Sequence, residues 1–188
     1  MQYVSDIFTS TLEVKQSKFI AYLLPYNKYE QTLDKLKSQH PKARHFVVAY
    51  RYLNEYEQIV EHCSDDGEPK NTSGKPSLFV LQGAEMINTA VIVVRYFGGT
   101  KLGTGGLVRA YSDAVNLVLQ NADILQYTTQ MKAEISFAYS DLRVIEYELC
   151  SFGIKTVEKI FQDNPLYKIE GSKEDMEQFL QKVKRSLL

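Results

Sequence analysis

The sequence predicts an α+β protein with two domains, and three observations lead to that fold class. Short apolar runs that suit strands alternate with segments of helical periodicity along the chain. A buried strand, a glycine-rich loop and a helix follow one another at the centre. A new strand pattern starts beyond Asp123, so we place the domains at residues 1–125 and 126–188. The 188 residues are 44% hydrophobic and 24% charged, which is ordinary for a globular protein.

The first domain opens with elements that the apolar pattern and the turn residues mark. Pro25 closes the first strand, and Asn27 with Glu30 has the spacing of a helix capping box. Pro76 suits the first turn of a later, short helix. The predicted elements are a strand at 14–24, a helix ending near His40, a hairpin of 44–53 and 58–63, and a short helix carrying Leu78, Leu81 and Met86.

The central stretch runs from Thr89 to Tyr111. Residues 90–94 are an unbroken apolar, mostly β-branched run, which predicts a strand buried on both faces. The residues that follow at helical spacing are Leu107, Tyr111, Ala114 and Val118. The loop between them contains Gly98, Gly99, Gly103, Gly105 and Gly106. Because glycine tolerates positive φ and close backbone approach, we interpret this loop as a specialised structure.

The strand, loop and helix direct backbone N–H groups and a helix N-terminus at one place, which favours an anion. No acidic residue lies between Thr89 and Ser112. The predicted site for phosphate or nucleic acid comprises Arg95, Tyr96, Gly98, Gly99, Lys101, Gly103, Thr104, Gly105, Gly106 and Arg109. Phe97 joins Tyr96 as a candidate stacking platform. The alternative is a turn that needs glycine for sterics alone; the spacing matches neither a P-loop nor a dinucleotide fingerprint.

An acidic turn precedes this stretch and contains Asp65, Asp66 and Glu68. Three carboxylates can hold a divalent cation, but the spacing is not that of an EF-hand. The alternative, which we prefer, is that Asp65 or Asp66 caps a turn or pairs with Arg95 or Arg109 inside the protein, or that the turn makes a polar contact with the glycine loop.

The second domain repeats the alternation of strand and helix. Ser140 and Ser172 are the expected N-caps of its two helices, and Gly153 is the expected stop of the first. The predicted elements are a strand at 131–139, a helix at 140–152, a hairpin of 154–161 and 166–170, and a helix after Ser172. This β-α-β-β-α order covers most of a ferredoxin-like unit.

Several function classes have no support in the residue pattern. No nucleophile–base pair, metal motif or cofactor motif is found, so we predict no catalytic residue, no metal and no cofactor. A net charge of −1 disfavours bulk coating of nucleic acid. The N-terminus lacks a signal-peptide pattern and no apolar run is long enough to cross a membrane. Cys63 and Cys150 fit reduced thiols, and we expect a cytoplasmic protein.

Three segments together resemble the IMPACT/YigZ family. They are Ser64–Pro69, Gly74–Pro76 and Val93–Tyr111, and the resemblance covers roughly residues 15–122. It implies a first domain like the second domain of ribosomal protein S-five and a second like the fifth domain of elongation factor G. Eukaryotic members regulate translation by competing for the activator of an amino-acid-starvation kinase. They carry an extra N-terminal domain for that contact, so this partner does not transfer.

Three hypotheses of function follow from the residues and the resemblance. The first is a translation-associated regulator that binds RNA, a ribosome or a translation factor through the basic glycine loop, without DNA sequence specificity. The second is an enzyme acting on a phosphorylated small molecule, with Asp65, Asp66 or Glu68 as metal ligand or base. The third is a protein-interaction module whose glycines only shape a surface. We favour the first, and a non-enzymatic protein.

Overall fold

The computed structural model describes residues 1–188, which divide into two compact units, Met1–Tyr127 and Thr128–Leu188. Both units mix strands and helices, so the predicted α+β class is confirmed. No helix combines the length and the apolar character that a membrane crossing requires.

The N-terminal unit is built on a five-stranded antiparallel sheet of order β2-β3-β6-β4-β5. Its elements in chain order are β1 (Gln2–Tyr3), β2 (Phe8–Val14), β3 (Ser17–Pro25), α1 (Tyr29–Gln39), β4 (His45–Leu53), β5 (Ile59–Ser64), α2 (Gly74–Gly83), β6 (Thr89–Tyr96), α3 (Gly103–Gln120) and β7 (Leu125–Gln126). The short strands β1 and β7 pair with each other beside this sheet. The predicted hairpin of β4 and β5 is confirmed.

Strand β6 is the middle strand, and helices cover both of its faces. Val91 and Val93 point into a core shared with α2 and α3, whereas Ile92 and Val94 point into the core beside α1. All of β6 except Tyr96 is buried, because a strand between two helical layers has no solvent-facing side. The predicted doubly buried strand is therefore confirmed.

Several features of the N-terminal unit differ from the prediction. The short strands β1 and β7 were not predicted, and Met86, predicted on the short helix, lies beyond the end of α2 at Gly83. Strand β2 was not predicted: it lies at the sheet edge and alternates half-buried with exposed residues, so it has no continuous apolar run. The predicted capping box of Asn27 and Glu30 is wrong, because neither residue caps α1. A 3₁₀ turn at Tyr26–Lys28 leads directly into α1, whose N-cap is Lys28 without a side-chain hydrogen bond.

The C-terminal unit has a three-stranded antiparallel sheet of order β8-β10-β9. Its elements are β8 (Gln130–Ser136), α4 (Leu142–Ser151), β9 (Lys155–Phe161), β10 (Pro165–Ser172) and α5 (Lys173–Val183). Both helices contribute to one core with the sheet, through Ile145 and Leu149 of α4 and Met176 and Phe179 of α5. The order β-α-β-β-α is as predicted.

One of the two predicted serine caps is confirmed. Ser172 Oγ accepts a hydrogen bond from Asp175 N at 3.1 Å at the start of α5. Ser140 lies within a 3₁₀ turn at Tyr139–Asp141, and the N-cap of α4 is Asp141. Gly153 follows α4 with a φ of +64°, as expected of a glycine that ends a helix.

Candidate functional site: a basic cavity at the start of helix α3

A cavity of about 470 Å³ lies where β6 ends and α3 begins. Its size is in the range of small-ligand sites. It is lined by Arg44, His45, Glu68, Pro69, Arg95, Phe97, Lys101, Leu102, Gly103, Thr104 and Leu107. The set contains three cationic side chains and one carboxylate, so the cavity is electropositive.

The N-terminus of α3 contributes to this cavity without a cap. Its N-cap residue, Leu102, makes no side-chain hydrogen bond, and the first turn contains no acidic residue. Gly103 and Thr104 line the cavity and are exposed. The first N–H groups of a helix have no partner within it and carry partial positive charge. An anion in the cavity would accept hydrogen bonds from these N–H groups and would be stabilised by their partial positive charge.

Arg95 lies at the buried floor of the cavity and is not free to contact phosphate. It is 6% exposed, and its Nη1 donates to Glu68 Oε1. The same oxygen accepts from Tyr111 OH at 2.9 Å. Burial and the neighbouring Glu68 carboxylate raise the pKa of Tyr111 far above its ordinary value, so the phenol stays a donor. Arg95 Nε, also buried, has no hydrogen-bond partner.

The position of His45 follows from sheet register, because His45 of β4 lies opposite Arg95 of β6. Its Nδ1 donates to the backbone oxygen of Asp66 at 2.7 Å, which fixes the ring. Its Nε2 lies 3.9 Å from Glu68 Oε1. Asp66 itself accepts from Phe46 N at 2.6 Å through Oδ2. The acidic turn is thus fastened to β4 and closes one side of the cavity.

Asp65 caps backbone groups. Its carboxylate accepts from Asn71 N at 2.7 Å, Ser73 N at 3.1 Å, Ser73 Oγ at 2.7 Å and Gly74 N at 2.8 Å. These bonds satisfy N–H groups at the start of α2 and in the loop that precedes it. With Asp66 and Glu68 also engaged, the preferred interpretation of the turn as a capping and pairing segment agrees with these contacts. No group of three or more His, Cys, Asp or Glu side chains is placed to hold a metal ion.

Asp65 makes stability depend on pH. Burial alone would raise its pKa, but hydrogen bonds from Ser73, Asn71 and Gly74 outweigh burial and lower it below its usual value. The ionised carboxylate therefore stabilises the fold above the unfolded-state pKa of about 4, and this stabilisation is lost as pH falls through the folded-state pKa. We expect Asp65→Asn to cost about 1–3 kcal/mol near pH 7, and less in acid. Urea unfolding from pH 7 to pH 3 measures this; an equal cost at every pH would contradict it.

The loop glycines have different local reasons. A Cβ on Gly98 would lie 2.0 Å from the backbone carbon of Gln16 and 2.2 Å from Ser17 N. Gly99 and Gly103 have positive φ values of 87° and 73°. A Cβ on Gly105 would meet nothing within 4 Å. Sterics thus explain Gly98 and backbone conformation explains Gly99 and Gly103, whereas neither explains Gly105.

Six of the ten predicted site residues do not line the cavity. Tyr96 alternates to the opposite face of β6 from Arg95, and its OH lies 2.8 Å from His40 Nδ1. Arg109 is exposed on α3 and does not line the cavity. Gly98, Gly99, Gly105 and Gly106 are close in sequence to the lining residues but are not among them.

Among the charged and polar residues that line the cavity, sequence reasoning missed Arg44 and His45. They lie about fifty positions before the glycine loop and reach it only through the pairing of β4 with β6. Phe97, proposed as a stacking platform, does line the cavity, and it is 43% exposed.

The fold and this cavity define the class: a two-unit α+β protein with an electropositive cavity between a glycine loop and an acidic turn. The Impact N-terminal domain model matches residues 15–119. The chain belongs to the IMPACT family.

Relatives extend this match across most of the chain. An IMPACT family member of Haemophilus influenzae is 37% identical over 158 residues, which cover 81% of this chain and 75% of that protein. IMPACT family member YigZ of Escherichia coli is 39% identical over 127 residues, 66% of this chain and 60% of YigZ. A crystal structure described as that of a hypothetical protein superposes with a TM-score of 0.65 at 30% identity, covering 97% of this chain and 90% of that one.

Proposed function

We propose that this chain is a translation-associated regulatory protein that binds RNA phosphate in the basic cavity at the start of α3. Family membership supports the connection with translation, because the family's eukaryotic members regulate it. The observation that carries the site is the uncapped N-terminus of α3 on a cavity with three cationic side chains. Helix N-termini with nearby cations are suited to phosphate.

The residues have separate roles in this proposal. Lys101 and Arg44 are exposed at the cavity and contact phosphate directly. Arg95 is buried and its charge is balanced by Glu68, so the uncompensated cations of the cavity are Arg44 and Lys101. Phe97 is the one aromatic side chain lining the cavity and offers a face to a base next to the bound phosphate. RNA fits this combination better than an isolated phosphate does, because it supplies both groups.

Ribosome co-sedimentation across a salt series tests the proposal. We expect wild-type retention to fall steeply with salt, since phosphate contacts release counterions. Lys101→Ala and Arg44→Ala should each weaken retention and lower the salt slope by about 1. Arg109→Ala is the matched control, because Arg109 is an exposed cation of α3 outside the cavity. If the control and the two cavity variants behave alike, the cavity is not the binding site.

The two alternatives predict different outcomes. The enzyme hypothesis assigned metal or base chemistry to Asp65, Asp66 and Glu68, and the hydrogen bonds of all three carboxylates give it no support. The protein-interaction hypothesis predicts retention that hardly changes with salt and tolerates Lys101→Ala. Such a result would replace RNA by a protein partner.

We also propose finer names for the two units. The N-terminal unit is like the second domain of ribosomal protein S-five, and the C-terminal unit is ferredoxin-like, similar to the fifth domain of elongation factor G. The sheet order β8-β10-β9 with both helices in one core supports the second name. Superposition of each unit on those ribosomal modules tests both names, and a different strand order would reject them.

A further inference from the structure

Strand β8 lies at the edge of the C-terminal sheet, with β10 as its only neighbour in that sheet. Phe137 N donates to Pro165 O, so the backbone of Phe137 faces the β10 side. Ser136 O accepts from Leu188 N, so the backbone of Ser136 faces the outer side. Because strand residues alternate, Lys132 and Glu134 also present their N–H and C=O groups outward. These outward groups are a template for another strand.

The side chains of β8 make this edge complementary to itself. Within the chain, Lys132 Nζ lies 3.8 Å from Glu170 Oε2 and Glu134 Oε1 lies 3.8 Å from Lys168 Nζ, both partners being on β10. Such surface pairs contribute little, so Lys132 and Glu134 can take a partner across the edge at small cost. In an antiparallel pair of two copies centred on Ala133, Lys132 of one copy lies opposite Glu134 of the other. Both residues present their backbone outward, so these are the positions that exchange hydrogen bonds across the pair. Met131 then lies opposite Ile135, and both belong to the core side of the sheet.

Only this register combines opposite charges on both sides of the two-fold axis. Centring the pair on Lys132 places two lysines opposite each other, and centring it on Glu134 places two glutamates there. Directly opposed like charges destabilise a strand pair, whereas opposite charges stabilise it. Leu187 and Leu188 contact the strand beyond Ile135, so they limit the pairing to the stretch around Ala133.

We propose that β8 is a self-association surface, through which two copies of this chain pair antiparallel about Ala133 and join their C-terminal sheets. The contact is isologous, so each copy contributes the same residues and the assembly closes as a dimer. It is also short, so the dimer is weak and forms at high protein concentration. Charged residues on an edge strand can also prevent pairing, and that protection needs only charge. Self-pairing instead requires opposite charges at positions 132 and 134, so single charge reversals distinguish the two roles.

Sedimentation velocity of the full chain, from about 10 µM to about 1 mM, tests this proposal. We expect wild type to move from monomer to dimer over this range. Lys132→Glu and Glu134→Lys each place like charges opposite each other in a self-pair, and each should weaken the dimer about tenfold. Lys155→Glu, an exposed reversal on the other edge strand β9, is the matched control and should dimerise like wild type.

Two restorations make the test specific for the register. An equimolar mixture of Lys132→Glu with Glu134→Lys pairs opposite charges again, and so does the double variant with itself. Both should regain the wild-type dimer, while circular dichroism verifies that every variant is folded. Wild type that stays monomeric at about 1 mM overturns the proposal. A single reversal that leaves the dimer dissociation constant unchanged, or a dissociation constant that neither restoration returns to the wild-type value, overturns it equally.

Discussion

Replacing Gly98 by alanine is expected to destabilise the N-terminal unit by about 3 kcal/mol. A Cβ at this position would lie 2.0 Å from the carbon and 2.3 Å from the oxygen of the Gln16 peptide. These are backbone atoms of the turn between β2 and β3, so the chain must move and cannot relieve the overlap by a rotamer change. Gly98 N also donates to Ser17 Oγ at 3.1 Å, and that bond would be strained. Urea unfolding measures the loss.

Gly105→Ala is the matched control for this prediction. It introduces the same methyl group seven residues later, where nothing lies within 4 Å. Within α3 the change should be neutral or stabilise the protein by up to about 1 kcal/mol, because alanine favours helix more than glycine does. Equal losses for the two variants would show that the contrast between close packing and open space is not what separates these glycines.

Replacing Glu68 by alanine is expected to cost about 3–5 kcal/mol. Glu68 is the buried acceptor for both Arg95 and Tyr111, so its removal leaves a buried guanidinium without a counter-charge and a buried phenol without an acceptor. Arg95 Nε already lacks a hydrogen-bond partner, so no second acceptor nearby can replace the lost carboxylate. Chemical denaturation of the variant measures the cost.

Glu158→Ala is the control for the buried pair. Glu158 Oε2 lies 2.9 Å from Lys168 Nζ, but both side chains are about half exposed. Such a surface pair contributes less than about 1 kcal/mol. A further variant, Glu68→Leu with Arg95→Met, removes both charges together and should recover much of the stability. A Glu68→Ala variant as stable as Glu158→Ala would contradict the central role of this pair.

Local patterns were enough to predict the central strand, both hairpins and the cap of α5. The run at residues 90–94 is apolar on both faces. Such a short, continuous apolar run is typical of a strand in a sheet that helices cover on both sides. Ser172 lies directly before an amphipathic segment, and no competing turn intervenes. At Ser140 and Asn27 the same cap rule was wrong, because a 3₁₀ turn at each place moves the N-cap by one residue, to Asp141 and Lys28.

The cavity could be predicted only in part, because its two sides come from distant parts of the chain. The glycine loop and Lys101 are marked by local composition. The partners of that loop depend on register: His45 lies opposite Arg95, and the acidic turn reaches Arg95 through Glu68. An internal pair of Asp65 or Asp66 with Arg95 was one expectation from the sequence, and the structure makes that pair through Glu68 instead. The choice among the three carboxylates depends on the tertiary fold and not on local composition.

The most direct test of the account is an amide NMR titration of the full chain with a short single-stranded RNA. The account predicts saturable shifts at Gly103, Thr104 and Gly105, the amides at the uncapped start of α3, and weaker shifts in Lys101→Ala at the same RNA concentration. The amide of Asp175 donates to Ser172 at the start of α5, so its resonance should not shift when RNA is added. Saturable shifts confined to other surfaces, with the α3 amides unmoved, would contradict the account.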